Sequence, residues 1–139
     1  MKLLMKTSFV FAIAILLLSF NSCKKNKLER RVLGTWNVTN VDFTVTISGF
    51  TFNGSGEDVT GTITFNKKGI GNQDYSFNYS GTNYIFYDNF TYSLSEEFIT
   101  TSHTDKWERL TNEKNIQKVK FTEIVSSTET RTYTLTLQK

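Results

Sequence analysis

Apolar residues alternate with threonine through most of the chain beyond Val32. In "RTYTLTL" (131–137), Tyr133, Leu135 and Leu137 share one phase, and Thr132, Thr134 and Thr136 share the other. A period of two sends these sets to opposite faces of a strand, and β-branched threonine fits that pleated surface. "DVTGTITF" (58–65) repeats the pattern, with Val59, Ile63 and Phe65 opposite Thr60, Thr62 and Thr64. Tyr75, Phe77 and Tyr79 alternate in "DYSFNYS", as do Phe90, Tyr92 and Leu94 in "FTYSL". "TWNVTNVDFTVTI" (35–47) changes phase. Trp36 and Val38 lead on one face, and Val41, Phe43, Val45 and Ile47 follow on the other register. Such a change inside one strand predicts a bulge or sharp bend near Asn40.

The chain has no proline, and no long stretch repeats apolar residues at helical spacing. Glycine, asparagine and aspartate in "FNGSGED", "NKKGIGN", "SGTN" and "YDNF" read as turns between strands. The spacing gives about seven to nine short strands, which predicts an antiparallel meander closed as a barrel or folded as a sandwich. Closure as an up-and-down barrel of about eight strands also removes the exposed edges that an open threonine-rich sheet would carry. "KLERRVL" sets Leu28 and Val32 at i and i+4, enough for one helical turn before the first strand. "SLSEEF" is a weaker second helical candidate. The fold class expected is all-β.

The N-terminus reads differently. Lys2 and Lys6 bracket a basic opening, every residue from Phe9 to Leu18 is apolar, and Ser22 precedes Cys23, the single cysteine. A charged start, a short apolar core and a small residue before the cut predict a secretory signal peptide over residues 1–22. The apolar run is shorter than the roughly 20 residues that span a bilayer. Its end resembles a bacterial lipobox, with Phe20 where leucine is usual. That resemblance implies cleavage before Cys23 and acylation of its thiol. With one cysteine the chain can form no internal disulfide, although export places it where disulfides persist.

Charge follows from this division. Lys2 and Lys6 leave with the signal, so 14 basic residues face 13 acidic ones. Residues 23–31, "CKKNKLERR", carry five basic residues and one acidic, and the domain expected over 32–139 carries nine and 12, a net of −3. The sequence pI of about 9.0 therefore belongs to signal and tether. Nucleic-acid binding loses its electrostatic basis. Lysines beside an acyl anchor suit anionic headgroups, at about 1 kcal/mol each, or simply keep a flexible tether solvated.

"LGTWNV" (33–38) opens the first long strand with Gly34 and Trp36 after a short helical turn. "TFNKKG" (64–69), Trp107 and a closing "TYTLTLQK" follow in order. Across roughly residues 28–139 this order resembles the lipocalin-like lipoproteins of Bacteroidetes-type bacteria. The resemblance implies an eight-stranded up-and-down barrel, closed at the pole where Trp36 packs. It implies a lipid-anchored envelope protein that binds a small apolar ligand, with no enzymatic activity and no cofactor. It also implies an arginine over the Trp36 ring near the end of the last strand, but the arginine of that strand is Arg131, at its start. The meander would carry Arg131 to the opposite pole, roughly 20–25 Å away at 3.3 Å per residue.

Candidate site residues follow from the inward phase. Arg131 shares a phase with Tyr133, so it either meets a ligand carboxylate or phosphate at the open mouth or sits on the rim paired with Glu129. Phe77, Tyr79, Tyr92 and Tyr133 are the candidate ligand-binding aromatics. As core they would bury large apolar areas, as lining they would offer phenol hydroxyls, and exposed they would form a partner surface. "NYIFYDNF" is apolar in both phases, so some of its rings face outward. No nucleophile elbow, metal-spaced His/Cys set or phosphate-cradling loop is present, so the sequence points to no catalytic or metal site. His103 beside Asp105 reads as a polar loop, Glu96–Glu97 as solvated charge, and "GEDV" and "YDNF" as short acidic loops. The expected partner is the membrane, through the anchor. In the lipoproteins it resembles, surface export often goes with acidic residues after the cysteine; lysines follow Cys23 here, so the resemblance implies the periplasmic face of the outer membrane. The alternative function is an envelope interaction module with a filled barrel and an outer aromatic docking surface.

Overall fold

The computed structural model describes residues 27–103 and 106–139. The expected signal peptide, Cys23 and the first part of the tether lie outside the described residues, as does Asp105. The chain divides into Met1–Arg30 and Arg31–Lys139. Residues 27–32 are helical, as "KLERRVL" predicts.

Nine antiparallel strands follow: β1 (Gly34–Ile47), β2 (Phe50–Ser55), β3 (Glu57–Asn66), β4 (Ile70–Tyr79), β5 (Thr82–Leu94), β6 (Phe98–Thr101), β7 (Lys106–Asn112), β8 (Ile116–Ile124) and β9 (Glu129–Gln138). Their order around the sheet is β2-β1-β3-β4-β5-β6-β7-β8-β9, and β1 also pairs β9. Strands β1 and β3–β9 thus close an eight-stranded up-and-down barrel, and β2 is an extra strand on the far half of β1. This is the fold class that the alternation predicts.

The phase change in β1 is a bulge. Its register against β9 shifts between Val38 and Asn40, and Thr39 Oγ1 donates to the Thr136 carbonyl at 3.2 Å. Trp36, Val38, Val41 and Phe43 therefore all point inward and are buried. The other alternating sets also land inside: Ile63 and Phe65, Tyr75 and Phe77, Phe90, and Tyr133, Leu135 and Leu137 are all buried. In β5, Tyr84 and Phe86 pack inward while Ile85 and Tyr87 stay exposed at 68% and 75%.

Two-residue turns join β1 to β2 and β4 to β5. Ser48–Gly49 and Ser80–Gly81 carry positive φ at both positions, the geometry that matches the twist of flanking strands. "SGTN" and "NKKG" are turns as expected, the latter a 3-10 turn over Lys67–Gly69. Three segments depart from expectation. "FNGSGED" lies within β2 and β3, interrupted at Gly56, and the turn comes earlier, at Ser48–Gly49. "YDNF" lies inside β5, because Phe86, Asp88 and Phe90 keep one inward phase. "SLSEEF" is not helical: Ser95 Oγ accepts from Phe98 N at 2.9 Å, and Ser95 N donates to the Phe98 carbonyl at 2.9 Å. The serine side chain supplies a local turn bond that competes with a helix.

At one pole, Val32 is buried against the core and Trp36 Nε1 donates to its carbonyl at 2.7 Å. Lys139 covers this pole. Its Nζ lies 4.5 Å from the Trp36 ring centroid and donates to the Leu33 carbonyl at 2.8 Å. A lysine thus takes the place where the resemblance implies an arginine. Arg131 pairs with Val45 at the other end of β1, as the meander requires.

Candidate ligand-binding site

Among the described residues, ladder pairing around the barrel is interrupted toward the Arg131 pole. β6 has four residues, and the part of β5 that it pairs is limited to Tyr92–Leu94. β7 meets β8 no farther toward that pole than Glu108–Lys120. Among the described residues, the edge of β5 from Thr82 to Asn89 and the edge of β8 from Phe121 to Ile124 have no ladder partner in the space between them.

A cavity of about 170 Å³ lies beneath this gap. Phe86, Asp88 and Phe90 of β5 form one wall, and Trp107 of β7 with Phe121 and Glu123 of β8 form the opposite one. Gln73 of β4, Thr101 of β6 and His103 complete the lining. Rings of Trp107 and Phe121 stack at 5.2 Å and 21°, and Trp107 meets Phe90 at 5.7 Å. The body of the cavity is therefore aromatic.

Its polar groups are incompletely paired. Asp88 Oδ2 lies 3.4 Å from His103 Nε2, while the buried Asp88 Oδ1 has no hydrogen-bond partner. Gln73, 8% exposed, has an unpartnered Oε1, and Trp107 has an unpartnered Nε1. Buried polar atoms in native proteins almost always have a partner, so such a cluster calls for a ligand or ordered water. Glu123 Oε2 accepts from Tyr133 Oη at 3.2 Å. Burial, and then the Glu123 charge, push the Tyr133 hydroxyl up to about 12. Tyr75 is shifted upward too, by burial first and then by Tyr133, Asp88 and Glu123. The Asp88 and Glu123 carboxylates thus act upward on these hydroxyls, and Arg131 acts on Tyr133 in the opposite sense.

The five aromatic and arginine residues expected at a ligand site sit beside the cavity, in the core or on the rim. Phe77 stacks on Tyr84 at 5.0 Å, and Tyr79 meets Phe43 edge-on at 4.2 Å. Both help fill the barrel axis near the Arg131 pole. Tyr92 Oη donates to the Asn66 carbonyl at 2.7 Å, and its ring packs on Phe65. Tyr133 reaches the cavity indirectly, through Phe86, Phe121 and Glu123. Arg131 is held by Glu129, with Nε and Nη2 at 2.8 and 2.7 Å from Oε1, and lies over the Tyr84 ring. That Glu129 bond is the main reason its pKa is raised. The lining acids were legible in one respect only: Asp88 shares a phase with two phenylalanines.

A second, external groove runs along β1, β2 and β9, lined by Asp42, Thr44, Asn53, Ser55 and Thr132. Its polar groups bond one another, Thr44 to Asn53 at 2.8 Å and Ser55 to Asp42 at 2.8 Å. No group of three or more His, Cys, Asp or Glu among the described residues is placed to hold a metal ion. No protein-family model, curated protein or solved structure matches this chain.

Proposed function

We propose that this chain is a lipid-anchored bacterial envelope protein, of the lipocalin-like lipoprotein kind, whose barrel carries a small and largely apolar ligand without chemical turnover. The wall cavity carries the binding half of this reading, because its aromatic lining encloses buried polar atoms without partners. The anchoring half rests on the lipobox-like end of the signal, Ser22–Cys23, and on the basic residues after it. Those lysines favour an outer-membrane anchor facing the periplasm. Labelled palmitate fed to expressing cells should enter the wild-type protein, and Cys23→Ala should abolish both labelling and membrane fractionation. Full-length protein in detergent should shift its melting temperature with at least one member of an apolar ligand panel. Absence of any shift, with no co-extracted small molecule, overturns the carrier reading.

One observation favours a second reading, an envelope docking module. Ile85 and Tyr87 project outward from β5 with most of their surface exposed, while rings of Phe43, Phe77, Tyr84 and Tyr133 fill much of the interior. Loss of a crosslinked envelope protein on Ile85→Ser/Tyr87→Ser, with ligand shifts unchanged, would select it.

A further inference from the structure

The cavity has a charge preference that an apolar ligand does not use. Its described lining holds two carboxylates, Asp88 and Glu123, one imidazole, His103, and no lysine or arginine. Arg131, the cross-strand partner of Glu123 on β9, holds one Glu129 oxygen with both Nε and Nη2 and also bonds the Tyr133 side chain. Tyr133 and Tyr75, the titratable groups packed behind, keep their protons near neutral pH. The walls are faces and edges of Phe86, Phe90, Trp107 and Phe121, which attract cations through the ring quadrupole. A purely apolar ligand would leave Asp88 Oδ1 and Gln73 Oε1 without partners. An anion would meet two carboxylates, and their repulsion opposes its binding even though Asp88 and Glu123 are partly solvent-exposed.

Resting on the ligand-carrier reading, we infer that the cavity binds a small organic ammonium ion. The ammonium group lies toward Asp88, Gln73 and Glu123, and its apolar body lies between Trp107, Phe121 and Phe86. The three donors of an ammonium match the open acceptors Asp88 Oδ1 and Gln73 Oε1, with Glu123 beside them, and a charge-assisted bond to a carboxylate is the strongest such pairing; the unpartnered Trp107 Nε1–H gains no acceptor from this group. The volume of about 170 Å³ limits the body to roughly one aromatic ring, since a cavity of about 150 Å³ holds benzene.

The test is calorimetric titration of the full-length protein in detergent with benzylamine, benzyl alcohol and benzoate at neutral pH. Benzylamine should bind about tenfold or more tighter than benzyl alcohol, and benzoate should not bind. Asp88→Asn should weaken benzylamine about tenfold and leave benzyl alcohol within about twofold, with Glu123→Gln acting in the same direction. The wild-type series needs no variant, so a variant that fails to fold leaves the test standing. Equal binding of amine and alcohol, or tighter binding of benzoate, overturns the cation assignment and leaves the carrier reading intact. If none of the three probes binds, the cation assignment falls, and the broader apolar panel separately decides the carrier reading.

Discussion

Single residues carry two features that strand periodicity leaves out. Lys139 stands last in the chain, with nothing in its neighbours to mark it. Only closure of β9 onto β1 brings it over Trp36, at 4.5 Å, and onto the Leu33 carbonyl. Lys139→Met should lower stability by about 0.5–1 kcal/mol, read from urea midpoints, because an exposed cation–π contact is worth that much. Tyr133 is the other case. Its hydroxyl is pushed up to about 12 by burial and by Glu123, against about 10 in an unfolded chain. The folded state keeps that proton to higher pH than the unfolded state does. The resulting stabilisation is complete below about pH 10 and is lost as pH rises through about 10 to 12. Tyr75 shifts in the same direction. Urea midpoints of the wild type should therefore fall steeply over this alkaline range, and Tyr133→Phe should flatten the fall.

At the scale of elements, alternation predicted which face each strand buries, and the bulge in β1 was visible as a change of phase. Glycine positions were harder to read. Gly61 looks like one more gap in an alternating segment. In the fold its φ is +110°, and a Cβ there would run into the Asp74 carbonyl oxygen of β4. Gly61→Ala should cost about 3 kcal/mol, since left-handed strain adds to a backbone clash, and thermal denaturation would show it. Turn chemistry was legible where two residues must both adopt positive φ, as at Ser80–Gly81. It misled in "YDNF", where Asp88 and Asn89 continue β5 instead of ending it. Local composition names residues that tolerate turns, but ladder pairing with β4 from Thr82 to Thr91 of β5 outweighs that tolerance.

For the whole molecule, closure is the decisive event. β1 and β9 pair from Asn37–Gln138 to Ile47–Glu129, joining the ends of the domain in sequence. Removal of residues 129–139 strips partners from both β1 and β8 and uncovers Trp36. The truncated chain should lose its cooperative unfolding transition and dispersed amide spectrum, because few of the remaining contacts form a closed core. The all-β class and the inward residue sets were legible beforehand, because side-chain period and the burial of one face are properties of each strand alone. The lipobox-like pattern ending at Cys23, on which the proposed acylation rests, is likewise local and read without any fold. The cavity was not legible. It exists because β6 is four residues long and the wall beside β5 stops short. That gap brings Asp88 of β5, Trp107 of β7 and Glu123 of β8 around one space. Sequence by itself determined which faces turn inward. Which inward residues share a hole was decided by strand lengths and register around the closed sheet, a long-range property that no local segment encodes.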